Sequence, residues 1–304
     1  MCIALILHLR VCCQRGYSKG DATCLRGIGA KSGLFCGRGG LWCPLQATVC
    51  AVRQDSLQTP ARQGGSTILI IRTEDSGLVF IRQPDHAAAA ADLMAAWTLD
   101  GLPRNPRRDS ILSAIRSHDN GWIEEDDEMT VSEDGTPVDF IAVPFEVKTR
   151  VWPRCVDGLG AHWPHVAALV AQHSLTIFKD HRGKPEWQAY FDAMTARRNA
   201  LLARCNPEVA ARIDEDYRFV RMADLMSLVF CNAWPDPLEY GGHRVVLTGN
   251  VLTVTPDPFG GAKVHLRIPA RRVPSRRFAS AADLRAEMGT ARNEMVEGTA
   301  VGAS

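Results

Sequence analysis

The sequence predicts a mostly α-helical fold: a helical bundle with a short N-terminal β-hairpin and a small C-terminal β-strand appendage. Apolar residues recur at helical spacing in several segments, and β-branched runs are confined to the two ends of residues 66–295. The chain has 304 residues, of which 46% are hydrophobic and 23% are charged. A chain of this length and composition can bury a sizeable core.

The cysteines separate the first part of the chain from the rest. Seven of the ten lie within the first 50 residues, without the spacing of a disulfide framework or a zinc knuckle. We therefore expect residues 1–65 to be a poorly ordered Cys-, Gly- and Arg-rich extension, and we interpret it as sequence translated from upstream of the natural start. Residues 66–295 are predicted to form one domain, and residues 296–304 a frayed tail.

Charge and hydropathy narrow the possible partners. The net charge is +1, which gives no general attraction to nucleic acid or to a membrane surface. No run approaches the roughly 18 apolar residues that span a bilayer. The apolar opening has no basic residue before it and no small-residue cleavage site after it, so we predict no signal peptide and expect a cytoplasmic protein.

The ordered chain is predicted to begin with a hairpin. Residues 67–72 and 78–81 are β-rich and flank a turn. A helix follows, in which Pro84 suits the first turn and Asp85 complements the positive helix end. This places His86 in the first turn of an alanine-rich helix.

The next predicted helix ends at a His-Asp pair. Apolar residues within 111–115 share one helical face, and Gly121 offers the backbone freedom for a sharp exit. His118 and Asp119 thus lie side by side at the end of a rigid element, where a cation could be bound by one nitrogen and one oxygen. The pair alone is also typical of an ordinary helix C-terminus.

Two later helical segments carry further polar residues. His173 lies on or beside the apolar stripe of a helix predicted over residues 163–178, where a histidine is more often a core residue than a ligand. Asp224 interrupts an apolar segment of a long helix predicted over residues 208–234. A carboxylate in such a place is unfavourable unless it is paired or bound to a metal. Strands are predicted at residues 244–247, 251–254 and 263–268, and a last helix from Ser280 to about residue 292.

Five polar residues therefore stand in helical, mostly apolar settings. They are His86, His118, Asp119, His173 and Asp224. Three imidazoles and two carboxylates suit an octahedral or near-octahedral site for iron, manganese or a similar divalent metal. A structural zinc site is disfavoured because sulfur ligands are missing from this set.

This order of residues resembles the HD-domain superfamily of metal-dependent phosphohydrolases. Residues 115–121 are similar to its signature, in which an apolar helix ends in His-Asp-x-Gly. The chain more closely resembles a family of uncharacterised bacterial proteins known only as a domain of unknown function. Its landmarks, within about residues 67–293, are Gln83–His86, His118–Trp122, Gly135–Phe140, Leu169–His173, Asp224–Leu228 and Thr255–Phe259.

The HD resemblance implies an HD-like helical bundle and a metal site with one or two divalent ions. His86, His118, Asp119 and Asp224 match its four metal positions, and His173 matches an additional histidine that some members use for a second metal. The implied activity is metal-dependent hydrolysis of a small phosphate ester or nucleotide. Asp119 would bridge or orient the attacking water.

Residues around the His-Asp pair are candidates for substrate contacts. Arg104, Arg107 and Arg108 precede the helix and could bind a substrate phosphate as bidentate donors. Asp126 is a candidate proton acceptor. Trp122 stands where many HD hydrolases carry a basic residue, and it is also a candidate substrate contact.

Two alternatives to a hydrolase remain open. One is a non-catalytic metal- or ligand-binding module on the same scaffold, because similarity of fold does not carry activity with it. The other is a di-iron oxygenase, because the five-residue set suits two metals as well as one. The expected partner is a small phosphorylated molecule, with no nucleic acid and no membrane.

Overall fold

The computed structural model describes residues 69–127 and 129–304, without the side chains of residues 126 and 127. The extension predicted over residues 1–65 lies outside the described residues. The described part has an α/β fold built on a seven-stranded sheet, so the prediction of a mostly α-helical bundle is wrong.

Two strands open the described chain, helices form its middle part, and the remaining strands lie towards its C-terminus. The strands are β1 (Ile70–Glu74), β2 (Gly77–Ile81), β3 (Leu238–Tyr240), β4 (His243–Thr248), β5 (Val251–Thr255), β6 (Val264–Val273) and β7 (Asn293–Gly302). The α-helices are α1 (Gln83–Ala95), α2 (Arg108–Ser117), α3 (Phe145–Gly160), α4 (Pro164–Ile177), α5 (Pro185–Leu202), α6 (Pro207–Ala210), α7 (Ile213–Cys231) and α8 (Ala281–Thr290). Short 3-10 helices cover Leu102–Arg104, Asn120–Asp127 and Lys179–His181.

The N-terminal hairpin and the C-terminal strands, which were predicted as separate β regions, belong to one sheet. Its strand order is β1-β2-β6-β7-β5-β4-β3. The N-terminal hairpin joins the C-terminal strands because β2 pairs antiparallel with β6, with Leu78 opposite Val273. The strand pairs are antiparallel except β5 with β7, which is parallel.

The last strand corrects a second prediction. Residues 296–304 were expected to fray, but β7 lies between β6 and β5 and forms ladders with both. Val296 and Ala300 of β7 are buried. The prediction is wrong because backbone pairing on both sides holds this small-residue segment in place.

Strand β2 separates two hydrophobic clusters. Val79 and Ile81 point into the main core, whereas Leu78 and Phe80 pack in a smaller cluster with Leu284 of α8. This division follows from the alternation of side chains along a strand. All five residues of β2 are buried, and α1 begins only two residues after the strand ends.

Helices α1, α4 and α7 pack against α2. Helix α1 contacts α2 and α7, and α4 contacts α2 and α7. Helix α2 ends at Ser117, which confirms the predicted end of this helix just before His118 and Asp119. Within the described ranges, no helix combines the length and the hydropathy needed to cross a membrane.

Gly121 is required for a close approach rather than for a special backbone angle. Its φ lies outside the positive region, contrary to the role expected from the sequence. A Cβ at this position would lie 1.9 Å from the carbonyl oxygen of Val151 on α3. Only glycine lets the segment after the His-Asp pair pack this closely against α3.

The substitution Gly121→Ala is expected to lower the free energy of unfolding by about 2–3 kcal/mol, because α3 must move away from the new methyl group. Urea denaturation measures the change. Gly158→Ala, on α3, is the matched control, since its Cβ would meet nothing within 4 Å. Equal stabilities of the two variants would contradict this packing argument.

Candidate metal centre

Four helices bring the five predicted ligands together. His86 lies in the first turn of α1, His118 caps the C-terminus of α2 and Asp119 follows it. His173 belongs to α4 and Asp224 to α7. All five are buried, with exposed fractions between 0% and 6%.

The hydrogen bonds of His118 fix which of its nitrogens faces the centre. Its Nδ1 donates to the carbonyl oxygen of Ile115 at 2.6 Å. The neutral ring therefore presents a lone pair on Nε2. That Nε2 lies 3.4 Å from Oδ2 of Asp119 and 3.5 Å from Oδ1 of Asp224.

A serine on α7 is hydrogen-bonded to the ring of His86. The Ser227 hydroxyl donates to the carbonyl oxygen of Asp224 at 2.9 Å. Ser227 Oγ also shares a 2.8 Å hydrogen bond with Nδ1 of His86, which holds the imidazole ring in place. The opposite nitrogen, Nε2, shares a 2.9 Å hydrogen bond with Oδ2 of Asp119 and lies 3.9 Å from Oδ1 of Asp224.

The centre thus sets Nε2 of two imidazoles against two carboxylates, an arrangement that favours a cation between them. Either a proton or a metal ion can supply it. Two ligands of one ion with bonds of about 2.0–2.2 Å are separated by about 3–3.6 Å. The separations from His118 fall in this range, and those from His86 lie just outside it.

Unpartnered atoms support the fit to a metal ion. Within the described residues, Nε2 of His118 and Oδ1 of Asp119 are buried without a hydrogen-bond partner. Such atoms are rare in folded proteins because their desolvation is uncompensated. Two buried triads could hold a metal ion: His86, His118 and Asp119, and His118, His173 and Asp224.

Electrostatics keep both carboxylates ionised. Burial raises their pKa values, but the neighbouring histidines outweigh it, so the pKa values of Asp119 and Asp224 lie below the usual range. Burial alone would lower the pKa of His118, but Asp119 and Asp224 raise it to about 9. In the metal-free protein a proton therefore serves as the cation beside His118.

His173 completes the second triad. Its Nε2 lies 4.0 Å from Oδ2 of Asp224, and its ring centroid lies 4.9 Å from that of His118. The Tyr217 hydroxyl lies 3.4 Å from the other nitrogen, Nδ1. Burial lowers the pKa of His173 to about 3, so this imidazole is neutral, the form that binds metals.

Residues 69–275 match the family described as a protein of unknown function, DUF3891. The chain belongs to the DUF3891 family. All five residues of the centre lie within the matched range, and the match gives no link to the HD superfamily. No curated protein and no solved structure matches the chain.

The three predicted phosphate-binding arginines have different surroundings. Arg107 binds both carboxylate oxygens of Asp216, which is fully buried on α7 and also lies 3.3 Å from His165. Arg108 donates to the carbonyl oxygen of Ala95. Arg104 is exposed. Arg107 is thus engaged in an ion pair of the fold, and substrate binding by any of the three stays a prediction.

Trp122 and Asp126 are the two other predicted site residues. Trp122 is 2% exposed and packs edge-to-face on Trp152, with ring centroids 5.6 Å apart. Core packing therefore accounts for this residue without a substrate. The side chain of Asp126 lies outside the described residues, so its role as a proton acceptor stays a prediction.

The structure adds residues of α7 that the sequence did not single out as members of the site. Arg221 donates to Oδ2 of Asp224 at 2.7 Å, and Tyr217 contacts His173. Ser227 fixes the ring of His86. Tyr217 and Arg221 precede Asp224 by seven and three residues, and Ser227 follows it by three. This spacing places them on the same helical face as Asp224. That spacing is the signal that could have identified them.

Proposed function

We propose that this protein is a metal-dependent hydrolase of small phosphate esters. The metal is a divalent ion such as manganese or iron, and His86, His118, Asp119 and Asp224 would hold it, with His173 at its edge. The chain order of these residues, which resembles that of HD phosphohydrolases, favours this reaction over other metal chemistry.

One observation carries the proposal. Nδ1 of His118 donates to the Ile115 carbonyl and Nδ1 of His86 is hydrogen-bonded to Ser227, so that both Nε2 atoms converge on two carboxylates. Outer hydrogen bonds of this kind orient metal-binding histidines and fix their tautomers.

The same hydrogen bonds support a single ion. The two triads share His118, and its Nδ1 is already used by the Ile115 carbonyl. One Nε2 lone pair binds one metal, so both triads cannot be filled through His118 at once. We therefore propose one ion per chain.

A bound divalent ion would lower the pKa of a coordinated water and polarise a phosphoryl oxygen. The protein supplies the remaining functions. Oδ1 of Asp119, which is buried and unpartnered, is placed to accept a hydrogen bond from a water and orient it. The apolar residues around the four helices exclude bulk water, which strengthens each electrostatic contact.

Burial supports a second candidate, a non-catalytic metal-binding module. His86 and His118 have exposed fractions of 0%, and Asp119 is 6% exposed. A phosphate ester can reach these groups only if the covering side chains move. A metal bound for stability would need no such movement.

Hydrolysis assays with the metal-loaded protein separate the two candidates. We expect p-nitrophenyl phosphate, bis-p-nitrophenyl phosphate or a nucleotide to be hydrolysed in a reaction that chelator abolishes and that Mn²⁺ or Fe²⁺ restores. Asp119→Asn should abolish turnover, whereas Asp92→Asn, an exposed aspartate on α1, should not. Stoichiometric metal without hydrolysis of any of these esters would contradict the hydrolase and favour the module.

A further inference from the structure

Arg221 is a charged residue at the edge of the metal centre that ligation of the ion does not use. It lies on α7 one turn before Asp224, and its Nη1 donates to Oδ2 of that residue. Its side chain is 16% exposed, whereas the carboxylate that it contacts is 5% exposed. Arg221 therefore connects the buried centre with the protein surface.

The charge of this guanidinium acts on two tyrosines from neighbouring elements. Tyr217 is on α7 and Tyr240 is on β3, which packs against α7. Burial raises the pKa of both phenols, and the positive charge of Arg221 acts on both and opposes the rise. The two phenols stay uncharged, so they do not neutralise Arg221.

With a divalent ion bound, the positive charge of Arg221 is not balanced by the ligands of the centre. Ligand histidines are neutral when a metal is bound, and the carboxylates of Asp119 and Asp224 balance a divalent ion. The Arg221 guanidinium then remains as an uncompensated positive charge in a largely buried place. Such a charge is unfavourable unless an anion accompanies it.

Arg221 also has donors to offer that anion. A guanidinium has five N–H groups in a planar fork that matches the oxygens of a phosphate. Among the described residues, Asp224 is its hydrogen-bond acceptor, through Nη1. The other N–H groups remain for an oxyanion next to the metal.

We propose that Arg221 binds the phosphoryl group of the substrate at the metal centre. This inference rests on the proposed function, since it assigns the residue that recognises the substrate of that same site. It replaces the arginines before α2 in this role. Arg107, in particular, is held by Asp216.

Phosphate binding to metal-loaded protein tests the proposal without an activity assay. Inorganic phosphate is titrated by calorimetry into Mn²⁺-loaded wild type, Arg221→Gln and Arg218→Gln, after the metal content of each has been measured. Arg218 is the matched control because it lies one turn away on α7 but is exposed and donates to the carbonyl oxygen of Asp100. We expect Arg221→Gln to keep its metal and to bind phosphate roughly ten- to hundredfold more weakly, the loss of a charge-assisted hydrogen bond. Arg218→Gln should match the wild type.

The possible outcomes are distinguishable. Wild type without bound metal would overturn the proposed function together with this inference. Metal-loaded wild type that does not bind phosphate, or equal phosphate affinities of wild type and Arg221→Gln, would overturn the inference alone. Loss of metal from Arg221→Gln would also overturn it, because Arg221 would then serve only to position Asp224. Equal weakening in both arginine variants would show general electrostatic attraction instead of a specific contact.

Discussion

His118→Ala should lower the affinity for divalent transition metal by more than about 100-fold. His118 contributes to both triads, and its Nε2 is the ring nitrogen not used by the Ile115 carbonyl. Loss of an outer hydrogen-bond partner already lowers metal affinity by about 10–100-fold, so loss of the ligand itself should exceed that. Competition with a chromophoric chelator measures the affinity.

The control for this variant is His162→Ala, which removes an exposed histidine just before α4. Its metal affinity should equal that of the wild type. Circular dichroism establishes that each variant is folded, and His118→Gln provides a second test with less lost volume. A metal affinity of His118→Ala and His118→Gln within a factor of about three of the control would contradict the ligand assignment.

Asp216→Ala should lower the free energy of unfolding by about 3 kcal/mol, because it leaves Arg107 without its buried partner. The carboxylate also accepts a hydrogen bond from Asn105 at 3.1 Å and lies 3.3 Å from His165. Two turns of α7 separate Asp216 from Asp224, so metal affinity should be preserved. Urea denaturation at neutral pH measures the loss.

The exposed Asp214 in the same helical turn provides the control variant, Asp214→Ala, whose stability should change little. The effect of Asp216 should also depend on pH. Burial opposes ionisation, but His165 and Arg107 lower the pKa of Asp216 from 3.8 to about 2. Its contribution is therefore full above pH 3.8 and disappears as the pH falls through about 2. A stability difference that stays constant down to pH 2 would contradict this assignment.

The centre was predictable because its residues break local patterns. Asp224 and His173 interrupt apolar helical stripes, and His118 with Asp119 follows an amphipathic helix. Each of these interruptions of an apolar pattern can be recognised within the sequence of a single helix. Chain order and the family resemblance then grouped residues that four separate helices contribute.

The joining of the two β regions into one sheet was not predictable because the pairing between them is long-range. Besides β1, strand β2 pairs with β6, which lies nearly at the other end of the described chain, and periodicity gives no information about such partners. Strand β7 was missed for a different reason. It buries Val296 and Ala300 without the alternation typical of a half-exposed strand, so its sequence resembles a loose tail.

The partner of a single side chain, that of Arg107, was likewise not predictable from the sequence. Its position before α2 favoured a role in substrate binding, but its partner Asp216 lies 109 residues further along the chain. Arg221 was overlooked, although its helical spacing to Asp224 placed both on one face. Partners within one helix can be inferred from spacing, whereas partners on distant segments require the fold.

Anomalous diffraction from crystals of the Mn²⁺-loaded protein tests the central claim most directly. A single anomalous peak per chain is expected within bonding distance of Nε2 of His86, Nε2 of His118 and the carboxylates of Asp119 and Asp224. No peak between these four side chains, or a peak only elsewhere in the protein, would contradict the existence of the metal centre.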